Sequence, residues 1–182
     1  DSAPFMICGI LTLKNMDGSK TYTSIRRMQY LGENKCNTTL TSRAMQKQLA
    51  WHREHKVPWE VAVMFGVVPA VFLGSQISTQ MVDTNKLDVT GALLGESLPV
   101  VKCKTVDIDV LANAELVLEG QMKPWITDLE GPFGEMCRYY GIQSPMPRIE
   151  FTALTYRDQP VFQTLFPSGY EETLYMALFR EV

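Results

Sequence analysis

The sequence predicts an α+β fold, a small antiparallel β-barrel whose helices are mostly gathered in one insertion. Two β-rich segments near the start flank an Asp-Gly turn. Helix-type patterns fall mainly between residues 41 and 94, and the second half is again rich in β-branched and aromatic residues. Strands at both ends of a chain, with helices segregated between them, are typical of α+β domains and small barrels.

The opening segments predict a hairpin. Residues 5–13 and 20–31 lie on either side of the sequence Asn15-Met16-Asp17-Gly18-Ser19. An Asp-Gly pair between two apolar strands favours a tight turn, because glycine adopts the positive φ that such turns require.

A helix is predicted to follow the hairpin. Thr41 or Ser42 can cap a helix that runs to about His55. Its buried face is predicted from the helical spacing of Ala44, Met45, Leu49 and His52.

Residues 59–67 then read as a buried strand. Pro69 suits the first turn of a short helix that ends at about Ser78, and Asp83 or Thr84 can cap another helix through Leu94.

The second half is predicted to return to strands, with a terminal helix from Glu171 onward. The predicted strands are residues 100–104, 114–122, 149–156 and 161–165. No internal repeat or Gly/Ser-rich linker divides the 182 residues, so a single domain is expected.

Composition restricts the classes of partner. Seventeen basic and twenty acidic residues give a net charge of −3 without blocks of one sign, which argues against nucleic-acid binding. The apolar run over residues 61–74 is shorter than the roughly 20 residues of a membrane span. A small-molecule partner is therefore expected.

The start of the chain has no secretory pattern, which predicts a cytoplasmic protein. The first residue is not Met and the chain stops abruptly at Val182, so a piece of a longer protein is one interpretation. The four cysteines form no Cys-x-x-Cys pair, which favours free thiols over a zinc site.

The sequence Glu130-Gly131-Pro132-Phe133-Gly134-Glu135 places two carboxylates around a turn that is not expected to be helical. Two carboxylates held in one cavity can divide acid-base work, because burial and mutual repulsion leave one able to donate a proton near neutral pH. A solvated surface loop is the alternative.

Several phrases, in order along the chain, resemble the UbiD-type decarboxylases that use prenylated FMN. They are IRRMQ at 25–29, GALLGE at 91–96, PVVKC at 99–103, AELVLEG at 114–120, EGPFGE at 130–135 and TYRD at 155–158. The resemblance implies a split β-barrel similar to flavin reductases, acting as the central cofactor-binding domain of a longer protein. It also implies that the family's N-terminal segment and C-terminal oligomerising domain are absent from these 182 residues.

The resemblance implies an acid-base trio of Arg27, Glu130 and Glu135. Arg27 would orient a substrate carboxylate and pair with Glu130, and Glu135 would protonate the carbon left after CO2 departs, a role that burial beside another carboxylate would favour. The stretches that would line the prenylated flavin are Ser24, Ile25, Arg26 and Arg27, and Ser75, Gln76 and Ile77.

The family's divalent metal, held by an asparagine, a histidine and a glutamate, has no matching ligands. Tyr22 and Met45 stand at the first two positions, and Lys86 or Asn85 at the third, unless a small gap brings Asp83 or Asp88 there. Tyr and Met are poor ligands for a hard cation, so no metal is assigned, and Lys86 is suited to meet the flavin phosphate directly.

His52 and His55 have a spacing that permits metal binding, but a solvated helix end is the favoured interpretation.

Three functions stay open. The first is a non-oxidative decarboxylase acting on an aromatic or α,β-unsaturated carboxylic acid, oligomeric through the missing domain and supplied with cofactor by a flavin prenyltransferase. The second is a non-catalytic barrel that binds a flavin, another ligand or a partner subunit. The third, a flavin reductase, lacks support from a Gly-x-Gly-x-x-Gly fingerprint.

Overall fold

A computed structural model describes residues 4–77, 85–167 and 169–178, with side chains as far as Leu174. Six antiparallel strands close a barrel in the order β1-β2-β3-β8-β7-β4. These strands are β1 (Phe5–Lys14), β2 (Thr21–Gly32), β3 (Lys35–Thr38), β4 (Trp59–Phe65), β7 (Leu116–Glu130) and β8 (Ser144–Tyr156). A separate two-stranded sheet pairs β5 (Val100–Lys102) with β6 (Asp109–Leu111). The predicted barrel is confirmed.

Four helices accompany the strands in the described segments. They are α1 (Arg43–His55), α2 (Pro69–Gly74), α3 (Lys86–Leu94) and α4 (Tyr170–Leu178). The predicted helical insertion between the first hairpin and the later strands is therefore present, as is the terminal helix. Among the helices of the described segments, none is long and apolar enough to cross a membrane.

The opening hairpin forms as predicted. The strands β1 and β2 pair from Phe5 and Gln29 to Lys14 and Thr21, and Gly18 takes a φ of +72° in the connecting turn. This hairpin places Arg27 on a barrel strand.

The barrel is apolar on both faces, and β4 shows why. Val61, Val63 and Phe65 pack in one buried cluster, whereas Ala62 and Met64 pack in the other. Side chains alternate between the faces of a strand, so a strand covered on both faces reads as a continuous apolar run. This explains the continuous apolar residues of the strand that the sequence predicted to be buried at 59–67.

The helix caps were only partly predictable. Ser42 is the cap of α1, with its Oγ accepting from the Met45 amide at 3.3 Å. The prediction for α1's buried face was wrong at one position, because Ala44 is exposed and Gln48 takes its place among the buried residues.

Two boundaries in the insertion also differ. The helix α2 ends at Gly74, earlier than predicted, while Ser78 lies outside the described residues. Asn85 caps α3 through a 3.0 Å bond from the Leu87 amide, and the predicted caps Asp83 and Thr84 lie outside the described residues too.

The strand predicted at residues 161–165 is wrong. This segment forms no strand, and Phe162 instead stacks on Phe65 with ring centroids 5.4 Å apart. A closed barrel offers no free edge for another strand to join, so the segment packs by its side chains.

Candidate active site

Arg27 is the centre of a three-residue ionic cluster. Its Nε donates to Glu130 Oε1 at 2.6 Å and its Nη2 donates to Glu130 Oε2 at 3.1 Å, while Nη1 donates to Glu135 Oε1. The planar guanidinium therefore binds one carboxylate with two bonds and the other with one, a geometry that lysine cannot reproduce. The structure thus brings the three residues of the predicted trio into contact.

Glu130 is the buried member of this cluster. It is the last residue of β7, and its side chain is 1% exposed. A buried carboxylate without a partner is very costly, so the two hydrogen bonds from Arg27 offset the cost of burying this side chain. The strand ends here because Gly131, with a φ of +97°, turns the chain into a cis bond to Pro132.

Gln29 fixes the turn that follows Glu130. Its Oε1 accepts from the Gly131 amide at 2.8 Å, and its side chain is buried. Sequence reasoning missed this residue, although a signal was present: Gln29 lies two positions after Arg27 on β2 and so projects from the same face.

Phe133 packs the other side of the guanidinium. Arg27 Cζ lies 4.6 Å from the Phe133 ring centroid, and Phe5 meets this ring edge-on with centroids 4.8 Å apart. The contact is a cation–π interaction that limits how Arg27 can swing. The ring is half-buried, so it anchors the turn against the barrel.

Glu135 differs from its expected environment. Its side chain is 41% exposed and it contacts the Arg27 cation, so burial beside a second carboxylate does not describe it. Its amide donates to the Tyr139 carbonyl at 2.9 Å, and Gly141 leaves space for its carboxylate, since a Cβ there would lie 3.0 Å from Oε1. The turn after Phe133 therefore presents Glu135 at an open side of the site.

Burial and the neighbouring acids shift the pKa of Arg27 in opposite directions. Burial lowers the pKa of the Arg27 guanidinium, but hydrogen bonds to Glu130 and Glu135, with their negative charges, outweigh burial and raise it. Arg27 is thus a permanent cation between two acids.

A cavity of about 430 Å³ opens beside Arg27 and Glu135. Its walls are formed by Ile7, Ile25, Arg26, Arg27, Thr39, Thr41, Gln76, Phe133, Glu135, Leu165, Pro167 and Glu172. The volume lies in the range of cofactor sites, and the cavity is lined by both apolar and charged groups, as such sites usually are. A larger cavity of about 600 Å³ lies beside α3 and contains none of the acid-base trio.

The predicted flavin-lining stretches divide into two groups. Ile25, Arg26, Arg27 and Gln76 line the cavity itself. Ser24 and Ser75 are buried behind it: Ser24 Oγ accepts from Arg26 Nε at 3.1 Å, and Ser75 Oγ donates to the Phe72 carbonyl at 2.7 Å.

Ile77, the last residue of the predicted stretches, is half-buried and is not among the residues that line the cavity.

The positions of the family's metal ligands do not form a metal site. Tyr22 packs against the apolar cluster inside the barrel. The Met45 sulfur accepts from Arg26 Nη2 at 3.5 Å, and Lys86 Nζ donates to the Ser75 carbonyl at 2.6 Å. Across the described segments, no group of three or more His, Cys, Asp or Glu side chains could hold a metal ion. A hard divalent cation does not fit these residues.

The residues considered as alternatives to Lys86 at the third metal-ligand position lie at α3 or outside the described residues. Asn85 caps α3, Asp88 lines the larger cavity, and Asp83 lies outside the described residues.

The interpretation of the two histidines as a solvated helix end was wrong for His52. His52 is 5% exposed, stacks on Trp59 with centroids 5.0 Å apart, and contacts the Val57 carbonyl through Nδ1 at 3.0 Å. Burial lowers the pKa of His52, so it is a neutral ring packed in the core.

Comparison with known proteins gives this cluster a context. The family model described as UbiD, 3-octaprenyl-4-hydroxybenzoate carboxy-lyase Rift-related domain, matches residues 1–170. The UbiD-class enzyme HmfF from Pelotomaculum thermopropionicum, solved as an evolved dimeric form in complex with prFMN, is 37% identical with a TM-score of 0.93. That likeness covers 98% of this chain and 42% of the HmfF chain.

Two further relatives are decarboxylases named for different substrates. The 3,4-dihydroxybenzoic acid decarboxylase (AroY) of Klebsiella pneumoniae is 26% identical with a TM-score of 0.91, over 100% of this chain and 40% of that one. The anhydromevalonate phosphate decarboxylase of Methanothermobacter thermautotrophicus is 25% identical over 100% of this chain and 42% of its own length. The chain thus spans about two fifths of these relatives. Since the family model covers all but the last twelve residues, the chain belongs to the UbiD family.

Proposed function

We propose that this chain is the cofactor-binding core of a non-oxidative decarboxylase that uses prenylated FMN to remove CO2 from an aromatic or α,β-unsaturated carboxylic acid. The observation that carries the proposal is the contact of Arg27 with both Glu130 and Glu135 at the mouth of the 430 Å³ cavity. An arginine between two acids can hold a substrate carboxylate and keep a proton donor beside it.

Arg27 and Glu130 form the fixed half of the site. The two hydrogen bonds to buried Glu130 orient the guanidinium, and the Phe133 ring supports it from the other side. An N–H group on Nη1 contacts partly exposed Glu135. A substrate carboxylate can take this Nη1 position in place of Glu135.

Glu135 is then the proposed proton donor. A general acid must lie within hydrogen-bond reach of the atom that it protonates, and Glu135 lies beside the Arg27 position that the substrate carboxylate would take. In the reaction the bond from carbon to the carboxylate breaks, CO2 leaves, and the carbon takes a proton from Glu135, which regains one from solvent. One proton is consumed for each CO2 released.

The cavity fits a flavin in volume and in its lining by Ile25, Arg26 and Gln76. Prenylated FMN, when bound, would supply an electron sink for the pair freed by C–C cleavage, which no protein side chain provides readily. HmfF, the relative solved with prFMN, supports this assignment.

Further parts of the proposal concern the whole protein. We infer that the chain is one domain of a longer, cytoplasmic enzyme that is completed by other family domains, forms a homo-oligomer and receives cofactor from a flavin prenyltransferase. The activities named for its relatives favour a small carboxylic acid as substrate. The flavin reductase-like description of the barrel is supported by a TM-score of 0.53 to a 2-nitrobenzoate 2-nitroreductase of Pseudomonas fluorescens.

The test is CO2 release by the purified protein produced with a flavin prenyltransferase, over a panel of aromatic and α,β-unsaturated acids. Glu135→Gln is expected to lower kcat by about 10²- to 10⁴-fold, the usual contribution of a general acid, while retaining the flavin spectrum. Glu172→Gln is the matched control, because Glu172 lines the same cavity outside the trio. Full turnover in Glu135→Gln would remove Glu135 from the mechanism.

A non-catalytic binding barrel is the second candidate, favoured by the unsuitable residues at the metal positions. It predicts flavin binding by the purified protein without CO2 release from any acid of the panel. A flavin reductase would instead oxidise NAD(P)H when FMN is added.

A further inference from the structure

Among the residues that the structure describes, Arg26 and Lys86 are two cations without a carboxylate partner. Arg26 donates to Ser24 Oγ at 3.1 Å, Thr41 Oγ1 at 3.4 Å and Met45 Sδ at 3.5 Å, all neutral acceptors. Lys86 donates to the Ser75 carbonyl at 2.6 Å. Within the described segments, neither cation makes an ion pair, unlike Arg27 on the same strand as Arg26.

Both cations are partly withdrawn from water. Burial lowers the pKa of Arg26. Burial, followed by the positive charge of Arg26, lowers the pKa of Lys86 to about 8. Two like charges held in one partly buried region destabilise each other, so an anion placed between them would relieve this cost.

The position of Arg26 and Lys86 beside the cavity indicates that such an anion would belong to a ligand of that cavity. Arg26 and Gln76 line the same cavity as Arg27 and Glu135. Lys86 is tied to that wall through Ser75, the neighbour of Gln76. The cavity therefore has Arg27 and Glu135 in one part of its lining and Arg26 in another, with Lys86 bonded to Ser75 next to the lining residue Gln76. A ring system that carries a phosphate on a side chain needs such an arrangement.

We propose that Arg26 and Lys86 bind the phosphate monoester of a flavin mononucleotide directly, without a bridging divalent metal. The inference rests on the proposed flavin cofactor and concerns how this chain holds it. Arginine and lysine both bind phosphate through charge-assisted hydrogen bonds, and Arg26 can present two N–H groups. Met45 supports Arg26 through its sulfur, in the place where the family has a metal-binding histidine.

The test compares FMN with riboflavin, which lacks the phosphate, by flavin-fluorescence titration of the purified apoprotein in excess EDTA. FMN is expected to bind at least about tenfold more tightly than riboflavin, the scale of one charge-assisted hydrogen bond. Adding Mn²⁺ after removal of EDTA should change neither affinity more than about twofold, and inorganic phosphate should compete with FMN only.

Variants identify the residues responsible. Lys86→Met and Arg26→Gln should each weaken FMN by about tenfold and leave riboflavin unchanged, whereas Lys86→Arg should retain the preference for FMN. Lys47→Met, at an exposed position on α1, is the control and should match the parent protein. Thermal melts exclude a folding defect as the cause of any loss.

The outcomes separate this inference from the proposed function. Equal binding of FMN and riboflavin, or FMN binding that requires Mn²⁺, overturns the phosphate site while leaving a flavin enzyme intact. Failure to bind either flavin overturns both. Loss of CO2 release in Glu135→Gln with an unchanged FMN preference upholds the phosphate site independently of the substrate chemistry.

Discussion

Gln29 shows how a single side chain can position the acid-base cluster without belonging to it. Its Oε1 accepts from the buried Gly131 amide, directly after Glu130. The turn needs this acceptor because Gly131 leaves the β7–β8 ladder and no strand partner faces its N–H. The orientation of Glu130 thus depends on a residue of β2.

Gln29→Met should therefore destabilise the protein and disturb the turn. Methionine has a similar volume but cannot replace the oxygen, so a buried N–H is left unsatisfied at a cost of about 1–3 kcal/mol in the free energy of unfolding. Chemical denaturation measures this loss. Gln143→Met is the matched control, because exposed Gln143 donates to the carbonyl of the same glycine at 3.1 Å and water can replace it. Equal costs for the two variants would contradict the positioning role.

Lys86 makes flavin binding sensitive to alkaline pH. Its pKa of about 8 means that the free protein loses this charge as the pH rises through 8, whereas a bound phosphate would keep Lys86 protonated. The charged groups that line the cavity itself are Arg26, Arg27, Glu135 and Glu172, and the second ionisation of a phosphate monoester is largely complete at pH 7.

FMN affinity should consequently be constant between about pH 7 and 7.5 and fall between pH 8 and 9.5, by at most about tenfold per pH unit. Fluorescence titrations at half-unit intervals measure the fall. Riboflavin in the parent protein and FMN in Lys86→Arg serve as controls and should show flat profiles over this range. A flat FMN profile in the parent protein would show that Lys86 does not contact the phosphate.

At the scale of elements, the sequence predicted the strands whose patterns are strong and missed those shaped by tertiary contacts. The hairpin β1–β2 follows from an Asp-Gly turn between apolar runs. The strand β3 has only four residues, and its exposed neighbours Glu33 and Asn34 read as loop. It is held by pairing to β2 and β8, which local sequence cannot show.

The strand β7 illustrates the same limit at the site itself. It was predicted to end at Met122 but continues to Glu130, past Pro124, with a register shift between Lys123 and Thr127. Proline within a strand argues against pairing unless a bulge accommodates it, and here the irregularity does so. Glu130 is therefore a strand-end residue, although its sequence motif suggested a loop.

For the candidate site, the sequence predicted which residues come together but not how exposed each of them is. The family motif identified Arg27, Glu130 and Glu135, and the structure places them in contact, while their chemical roles stay predictions. The exposure of Glu135 could not be foreseen, because it depends on how the turn through Tyr139 lies over the barrel. The partners of Arg26 and Lys86 likewise come from β2, α1 and the end of α2.

At the scale of the whole molecule, the pair Arg27–Glu130 joins the opening hairpin to the end of β7, 103 residues later. These two strands are not neighbours in the barrel order. The ion pair is therefore expected to contribute to barrel closure in addition to its proposed role in the chemistry, and a double-mutant cycle measures the contribution to stability.

Arg27→Met should destabilise the protein by about 3–5 kcal/mol, because it leaves the 1%-exposed Glu130 carboxylate without its cation. Adding Glu130→Gln to that variant should recover part of the loss, since an amide is less costly to bury than an unpaired charge, giving a coupling energy above about 1 kcal/mol. The control cycle uses Arg148 and Asp128, which also form two hydrogen bonds, at 2.7 and 2.8 Å, but are 27% and 25% exposed. Their coupling should stay below about 1 kcal/mol because water screens them. Urea denaturation of the parent protein and the six variants measures both cycles, and a coupling for Arg27–Glu130 no larger than that of the control would mean that this pair does not hold the barrel together.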